Sequence, residues 1–319
     1  MGKLPFEEKK REIIVRLEES PGEYGCNPNE REDLLDLGIV ILNKPQGPTS
    51  HQISDYVKKI LSLKKAGHSG TLDPNVTGVL PVALGRCTKI VQALLNAGKE
   101  YVCLMKLHDD FDEEKIRDKF KEFTGKIEQL PPVKSAVKRV MREREVYYLE
   151  IMEVDGRNVL FTIGCQAGTY IRKICHDFGK SLDSGAHMQE LIRTKAGPFS
   201  DKDWVSLHDL KDAFEEKELK KVILPVERAV EHLPKIWIKD NAVDTVCHGA
   251  QLSLPAVVKF HGDIDINDMV AIMSLKEELV CLAKAKMNSM NMERQNKGIV
   301  AGNTKVFMER GIYPKFSTK

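Results

Sequence analysis

Residues 67–89 constrain the chain most, because glycine and proline punctuate this segment around a single acidic residue. Asp73 directly precedes Pro74, and a residue before proline favours extended backbone over helix. Gly70 and Gly78 permit sharp turns or a close approach to another group. Asp73 therefore lies on a stiff, irregular loop that leads into an apolar segment. Local sequence leaves two interpretations open: a reactive carboxylate on a rigid element, or an ordinary Asx-type turn.

The composition is that of a globular protein with two or three domains. The 49 Lys and Arg residues nearly balance the 47 Asp and Glu residues, so the net charge does not identify a partner. The seven cysteines stand singly, which argues against a disulfide framework or a zinc ribbon. No signal-peptide pattern occurs, and no apolar stretch approaches the roughly 18 residues that span a bilayer. These features predict a cytoplasmic protein that does not depend on a membrane.

Apolar periodicity predicts alternating helices and strands before residue 234. The predicted helices cover residues 5–20, 50–61, 88–98, 112–123, 168–179 and 188–192, and much of 202–230. The predicted strands cover residues 37–42, 101–108, 146–154 and 159–165. Asp155-Gly156 joins the last two strands as a hairpin, and Pro131-Pro132 stops any helix there. After Pro234, short alternating segments predict a small β-rich domain of about 80 residues.

Motifs for phosphate loops, dinucleotide folds, zinc proteases and serine hydrolases are absent, so no cofactor or metal is expected. The remaining candidates have ordinary alternatives: Arg172 as a solvated helix residue, and Tyr101 as a core residue of a strand. Basic residues form two clusters, which are typical of solvated faces but also match phosphate contacts. The clusters are Lys58, Lys59, Lys64 and Lys65, and Lys134, Lys138, Arg139, Arg142 and Arg144.

Five segments in a fixed order resemble the motifs of the TruB-like pseudouridine synthases. The closer resemblance is to the archaeal–eukaryotic branch, the dyskerin-like catalytic subunits of H/ACA guide-RNA particles. The resemblance covers about residues 38–314. A match to one segment alone would be weak, whereas five matches in the right order are specific. The segments are KPQGPTS at 44–50, residues 67–89, KEY at 99–101, GTYIR at 168–172, and the run GAHM at 185–188, LIRT at 191–194 and GPF at 197–199.

The resemblance implies an α+β fold with a mixed, mainly antiparallel sheet of the pseudouridine synthase type, plus a small β-barrel. Residues 38–232 would form the catalytic domain. Residues 233–319 resemble a PUA domain, a small RNA-binding barrel. Residues 1–37 would be an N-terminal extension that packs on the PUA domain.

The resemblance also implies roles for seven residues. The reaction breaks the N-glycosidic bond of a uridine and rejoins the uracil through carbon 5, so it needs an ionised carboxylate beside C1′ but no redox cofactor. A guanidinium close to a carboxylate favours its ionised form and can bind it bidentately. The implied catalytic residues are Asp73, Arg172 and Tyr101, and the implied substrate-binding residues are His68, Tyr170, Leu191 and Lys44.

One departure bears on the partners. Only Asp109-Asp110 separates His108 from Phe111, where bacterial stand-alone members insert a segment that grips RNA. The resemblance therefore implies that a guide RNA and small accessory proteins hold the substrate. The chain stops at Lys319 without the lysine-rich tail of eukaryotic members, which favours an archaeal-type, cytoplasmic subunit.

The expected function is RNA-guided isomerisation of uridine to pseudouridine in ribosomal RNA, with transfer RNA as a further substrate. Two alternatives stay open. A stand-alone synthase acting on transfer RNA would work without a guide. An RNA-binding scaffold without activity would not need Asp73, Tyr101 and Arg172 together.

Overall fold

Seventeen strands form two sheets in the computed structural model, which describes residues 2–131 and 138–315. Pro132 and Lys134, named above for a helix stop and a basic cluster, lie outside these ranges. The strands are β1 (Ile13–Val15), β2 (Gly38–Lys44), β3 (Ala66–His68), β4 (Thr77–Leu84), β5 (Lys99–Leu107), β6 (Gly125–Gln129), β7 (Arg142–Asp155), β8 (Asn158–Cys165), β9 (Ala186–Ala196), β10 (Phe199–Ser200), β11 (Ile223–Pro225), β12 (Lys235–Ile238), β13 (Leu252–Ser253), β14 (Val257–His261), β15 (Met269–Met273), β16 (Leu279–Ala285) and β17 (Ile299–Val306).

Nine α-helices pack around these sheets in the described parts of the chain. They are α1 (Pro5–Glu8), α2 (Leu34–Leu37), α3 (Ser50–Ile60), α4 (Val91–Asn96), α5 (Glu113–Lys121), α6 (Ile171–Ser181), α7 (Leu207–Glu215), α8 (Asp240–Cys247) and α9 (Ser289–Arg294). No helix in residues 2–131 or 138–315 is long and apolar enough to cross a membrane.

The larger sheet runs in the order β11-β2-β4-β9-β5-β8-β7-β6, with β3 beside β4 and β10 beside β9. Its one parallel pairing on this path joins β4 to β9, and the other pairs are antiparallel. The mixed, mainly antiparallel sheet expected from the sequence is therefore confirmed. Strand β5 lies in the middle, and its buried residues Cys103 and Met105 pack in one core with Phe178 of α6.

The second sheet runs in the order β1-β14-β12-β15-β16-β17-β13, with β12 and β15 parallel. Its core buries aliphatic residues from these strands and from α8 and α9, among them Ile236, Val243 and Met292. The predicted small β-rich unit after Pro234 is confirmed. This sheet also includes β1, from the opposite end of the chain.

Two predicted helices are wrong. Only Pro5–Glu8 of the 5–20 helix forms; Ile13–Val15 instead pairs with the edge of β14, which suits β-branched side chains. The predicted helix at 188–192 is the middle of β9, because pairing with β4 and β5 on either side overrides the helix-like spacing of its apolar residues.

Other predicted elements agree more closely. The β2 strand, α3, β5, α5, the β7–β8 hairpin and α6 form near their predicted bounds, although α6 continues past Gly179 to Ser181. The 88–98 prediction is half right, since a 3-10 turn over Gly85–Ile90 precedes α4. The largely helical prediction for 202–230 is wrong beyond α7, because β11 and short 3-10 turns follow it.

Candidate active site

The Asp73 loop connects β3 to β4, and buried side chains fix its backbone. The Ser50 hydroxyl accepts a hydrogen bond from the Leu72 amide at 2.9 Å and donates to the Leu72 carbonyl at 3.2 Å. Leu72 and Val76 are buried on either side of Asp73, and the Val76 amide donates to the Asp73 carbonyl. Asp73 itself keeps a half-exposed side chain on this rigid support.

Lys44 is fully buried beneath the same loop. Its Nζ atom donates to the carbonyls of Pro45, Pro74 and Val76 at 2.9–3.0 Å, which uses all three of its donors. Burial and the charge of Arg193 lower the pKa of this ammonium. Two of the three bonds hold the backbone next to Asp73, so Lys44 braces the loop and has no donor left for a ligand.

Arg172 stands in the first turn of α6 and forms an ion pair with Asp73 through Nη2 and Oδ2. Each side chain of the pair is 53% exposed. An exposed pair of this kind contributes at most about 1 kcal/mol to stability. The contact joins residues 99 positions apart and sets the direction in which the carboxylate points.

Tyr101 lies on β5 with its ring partly exposed. The strand register places it opposite Ile163 on β8 and Arg193 on β9. Burial raises the pKa of the Tyr101 phenol, and the Arg193 charge offsets part of the rise. The hydroxyl therefore stays protonated near neutral pH.

His68 ends β3 just before the loop. Both of its ring nitrogens are buried without a hydrogen-bond partner in the described residues, and its ring meets His51 edge-on with centroids 4.8 Å apart. Burial, with smaller contributions from His51 and Arg193, lowers the pKa of His68 to about 4. A neutral imidazole with unused polar atoms therefore sits beside the loop that carries Asp73.

Tyr170 and Leu191 have well-defined surroundings. The buried Gln129 side chain accepts from the Tyr170 amide at 2.9 Å and donates to the Tyr170 carbonyl at 3.2 Å, which holds Tyr170 just before α6. Leu191 on β9 is nearly buried and packs in the same core as Leu72 and Val76. No group of three metal-ligating side chains occurs within residues 2–131 and 138–315.

The sequence interpretation overlooked Arg193. This residue is 1% exposed, and its guanidinium donates from Nε to the Val79 carbonyl at 2.7 Å and from Nη2 to the Gly70 carbonyl at 3.1 Å. A basic residue at an inward-facing strand position would have been the signal. The wrong helix prediction for this segment hid that alternation.

Comparison with known proteins gives matches along nearly the whole chain. Residues 58–171 match the TruB family pseudouridylate synthase (N terminal domain), and residues 172–231 match the tRNA pseudouridylate synthase B C-terminal domain. Residues 234–307 match the PUA domain, and residues 2–54 match the DKCLD (NUC011) domain.

Curated relatives include the probable tRNA pseudouridine synthase B of Methanopyrus kandleri, 51% identical over 98% of this chain and 95% of the relative. The protein of the same name from Pyrococcus horikoshii is 54% identical over 96% of this chain and 95% of the relative.

Two solved structures show the same fold throughout. A Cbf5-Nop10-Gar1 complex contains a chain with a TM-score of 0.94 and 52% identity, covering 98% of both chains. An H/ACA RNP bound to a substrate RNA containing 2'-deoxyuridine contains one with a TM-score of 0.93 and 48% identity, covering 99% of this chain and 100% of that one. With its sequence and its fold in agreement, this chain belongs to the TruB family of pseudouridine synthases.

Proposed function

We propose that this protein isomerises uridine to pseudouridine in ribosomal RNA as the guided catalytic subunit of an H/ACA ribonucleoprotein. The observation that carries the proposal is the carboxylate of Asp73, which is paired with Arg172 on a loop whose backbone is held by buried side chains. The similarity to the Cbf5 chain over 98% of its length supports the guided form of the reaction.

Asp73 is the proposed catalytic carboxylate. Attack on the sugar, attack on the base and simple proton abstraction all require an ionised carboxylate close to C1′ or to the uracil ring. The N1–C1′ bond breaks, the uracil turns and C5 bonds to C1′; C5 then loses its proton and N1 gains one, so product and substrate have the same composition. Arg172 places a positive charge beside the carboxylate and keeps it oriented while the base turns.

The flipped uracil is proposed to stack on Tyr101, with its polar edges toward His68 and Tyr170 and with Leu191 bounding the pocket. Extracting a base from structured RNA costs a few kcal/mol, which contacts with a snug pocket offset. The unpartnered nitrogens of His68 are free to bond with such a ligand. Lys44 contributes by bracing the Asp73 loop.

Guide and substrate RNA are proposed to be held by the PUA domain and by accessory proteins. The connection after β5 is short at Asp109-Asp110, so the catalytic domain lacks a long arm there.

We assign residues 38–232 to the catalytic domain, 233–319 to the PUA domain and 1–37 to an extension. Partners similar to the Nop10 and Gar1 of the related complex complete the particle, in an archaeal-type cytoplasmic setting.

The Asp73→Asn variant in the reconstituted particle tests the core of this proposal. We expect pseudouridine formation to vanish, while RNA affinity changes by less than about tenfold, or 1.4 kcal/mol. Asp201→Asn, at an exposed turn, is the matched control and should leave activity unchanged. Substantial activity in Asp73→Asn would exclude the assigned role.

A second candidate is guide-independent modification of transfer RNA, which is favoured by the names of the Methanopyrus and Pyrococcus relatives. The purified chain alone should then modify transfer RNA transcripts, with Asp73→Asn as the negative control. Modification of a ribosomal RNA fragment that requires the guide supports the first function. A wild-type particle inactive on both RNAs would leave only the scaffold interpretation.

A further inference from the structure

Arg193 occupies a central row of the larger sheet. The register aligns Gly78 of β4 with Arg193 of β9, and Arg193 with Tyr101 of β5. Gly78 has φ +105°, and a Cβ atom there would lie 2.2 Å from the Arg193 carbonyl oxygen. The close approach of β4 and β9 at this row therefore requires glycine.

The Arg193 guanidinium bonds to both stems of the Asp73 loop. Its two carbonyl partners belong to Gly70, three residues before Asp73, and Val79, six residues after it. Among the residues that the structure describes, no carboxylate lies within 4 Å of this guanidinium. The groups that accept hydrogen bonds from this charge are therefore backbone carbonyls and not a carboxylate.

Stability does not explain an arginine at this position. A buried charge is costly, and well-packed apolar side chains of similar volume are often as stable or more stable in its place. The nearby Lys99 illustrates the cost, since burial lowers its pKa to about 7. Arginine retains its charge when buried and offers a rigid fork of donors, which suits simultaneous contact with two separate chain segments.

We propose that Arg193 is a positioning residue that fixes the Asp73 loop relative to Tyr101. It clamps the two stems of the loop and lies directly opposite Tyr101 in the β5–β9 register, so one buried group sets the relation between the carboxylate and the ring on which the base stacks. This inference rests on the proposed roles of Asp73 and Tyr101. Arg193 acts through both residues and does not itself touch the substrate.

The test compares Arg193→Met, Arg193→Lys and Lys99→Met in the reconstituted particle, under single-turnover conditions. Lys99 is the matched control, because it is also buried and donates to three carbonyls, of Leu94, Leu95 and Ala97, at the end of α4 and outside the loop. We expect Arg193→Met to lower the rate roughly 100-fold, the scale of a misplacement of about 1 Å. Arg193→Lys should lower it about tenfold.

RNA affinity should stay within about threefold for all three variants, and Lys99→Met should keep its rate while losing stability. A double-mutant cycle with Tyr101→Phe separates positioning from general damage. If Arg193 acts through Tyr101, the two rate losses are not additive; independent losses would overturn the inference.

Failure of this inference and failure of the proposed function give different results. If Asp73→Asn stays active, the role of Asp73 is excluded. If Asp73→Asn is inactive but Arg193→Met turns over at the wild-type rate, only the positioning role is overturned. Should Arg193→Met fail to fold, a wild-type rate in Arg193→Lys overturns the proposal equally.

Discussion

The Asp73 loop and the N-terminal segment, residues 2–33, are both irregular, but they are held in different ways. Around the loop, buried donors from Ser50, Lys44 and Arg193 bond to backbone carbonyls. The N-terminal segment is attached by several kinds of contact, which include the pairing of β1 with β14 and ion pairs such as Arg11 with Asp263 and Glu7 with Lys195. The first arrangement fixes the path of the main chain, whereas the second joins separate parts of the protein.

The N-terminal segment contacts both sheets. Leu4 is fully buried, and Glu7 pairs with Lys195 of β9 at 3.0 Å. The first residues of the segment therefore lie on the larger sheet. Further on, β1 pairs with β14 of the second sheet, whose other strands all lie in the residues that match the PUA domain and which is therefore the PUA sheet. Arg31 then bonds to the buried Glu227, whose carboxylate also accepts from the Leu279 amide of β16. The N-terminal segment is therefore attached at three places, by a buried leucine with an ion pair, by a strand pairing and by the buried Arg31–Glu227 pair.

Loss of the Arg31 charge should have the largest effect on stability. Arg31→Met leaves Glu227 buried without its counterion, and we expect the free energy of unfolding to fall by roughly 3–5 kcal/mol. Turnover per folded molecule should not change, because the further partners of the pair, Asp33 and the Leu279 amide, lie outside the Asp73 loop. Chemical denaturation and single-turnover kinetics measure the two effects. Adding Glu227→Gln should restore part of the stability; an unchanged or worse double variant would contradict the pair as the cause.

Replacement of Arg172 should show the opposite pattern. Arg172→Lys substitutes a point charge for a planar fork, and we expect turnover to fall about 100-fold, or 2.7 kcal/mol in activation free energy. The melting temperature should hardly move, because the pair is half exposed. Lys180→Met, an exposed change on the same helix, is the control. Near-normal turnover in Arg172→Lys would refute the assigned pairing.

The attachment of the N-terminal segment near His232 should also be sensitive to acid. Burial lowers the pKa of His232 to about 4, and its ring packs edge-on against Phe6 of α1. Above pH 6.5 this histidine is neutral in both folded and unfolded chains, so it contributes no pH dependence there. As the pH falls from about 6.5 to 4, the unfolded chain binds the proton first, and stability falls by on the order of 3 kcal/mol. Denaturation of wild type and His232→Leu across this range checks the slope, which the variant should reduce.

The smallest effect is expected at the outermost attachment. Glu7→Gln removes a partly exposed partner of Lys195, and we expect a loss of at most about 1 kcal/mol. The effect should shrink further in high salt because exposed charges are screened. A denaturation series in rising salt measures it. A loss as large as that of Arg31→Met would show that the segment is attached mainly at its start.

Strong local patterns made much of the fold predictable. The β7–β8 hairpin followed from its turn at Asp155-Gly156, and α6 from apolar residues at helical spacing. The segment 188–192 misled because Met188, Leu191 and Ile192 mimic one face of a helix. Its true state depends on the edges of β4 and β5, which lie far away in sequence.

The same limit applies to the site. Asp73, Tyr101 and Arg172 stood in motifs that could be recognised along the chain. Arg193 stood in one too, but its buried state depends on carbonyls of Gly70 and Val79, more than a hundred residues earlier. A basic residue at an inward-facing strand position could be read from the sequence, but the distant carbonyls that hold it could not.

The pairing of β1 with β14 has a consequence for synthesis of the chain on the ribosome. Ile14 faces Phe260, so the strand must wait for 260 − 14 = 246 further residues before its partner exists. At about 5–20 residues per second, that delay lasts roughly 12 to 50 s. During this time a short apolar strand has emerged with an unpaired edge. Joining of the N-terminal segment to the PUA sheet is therefore among the last events in the maturation of this protein.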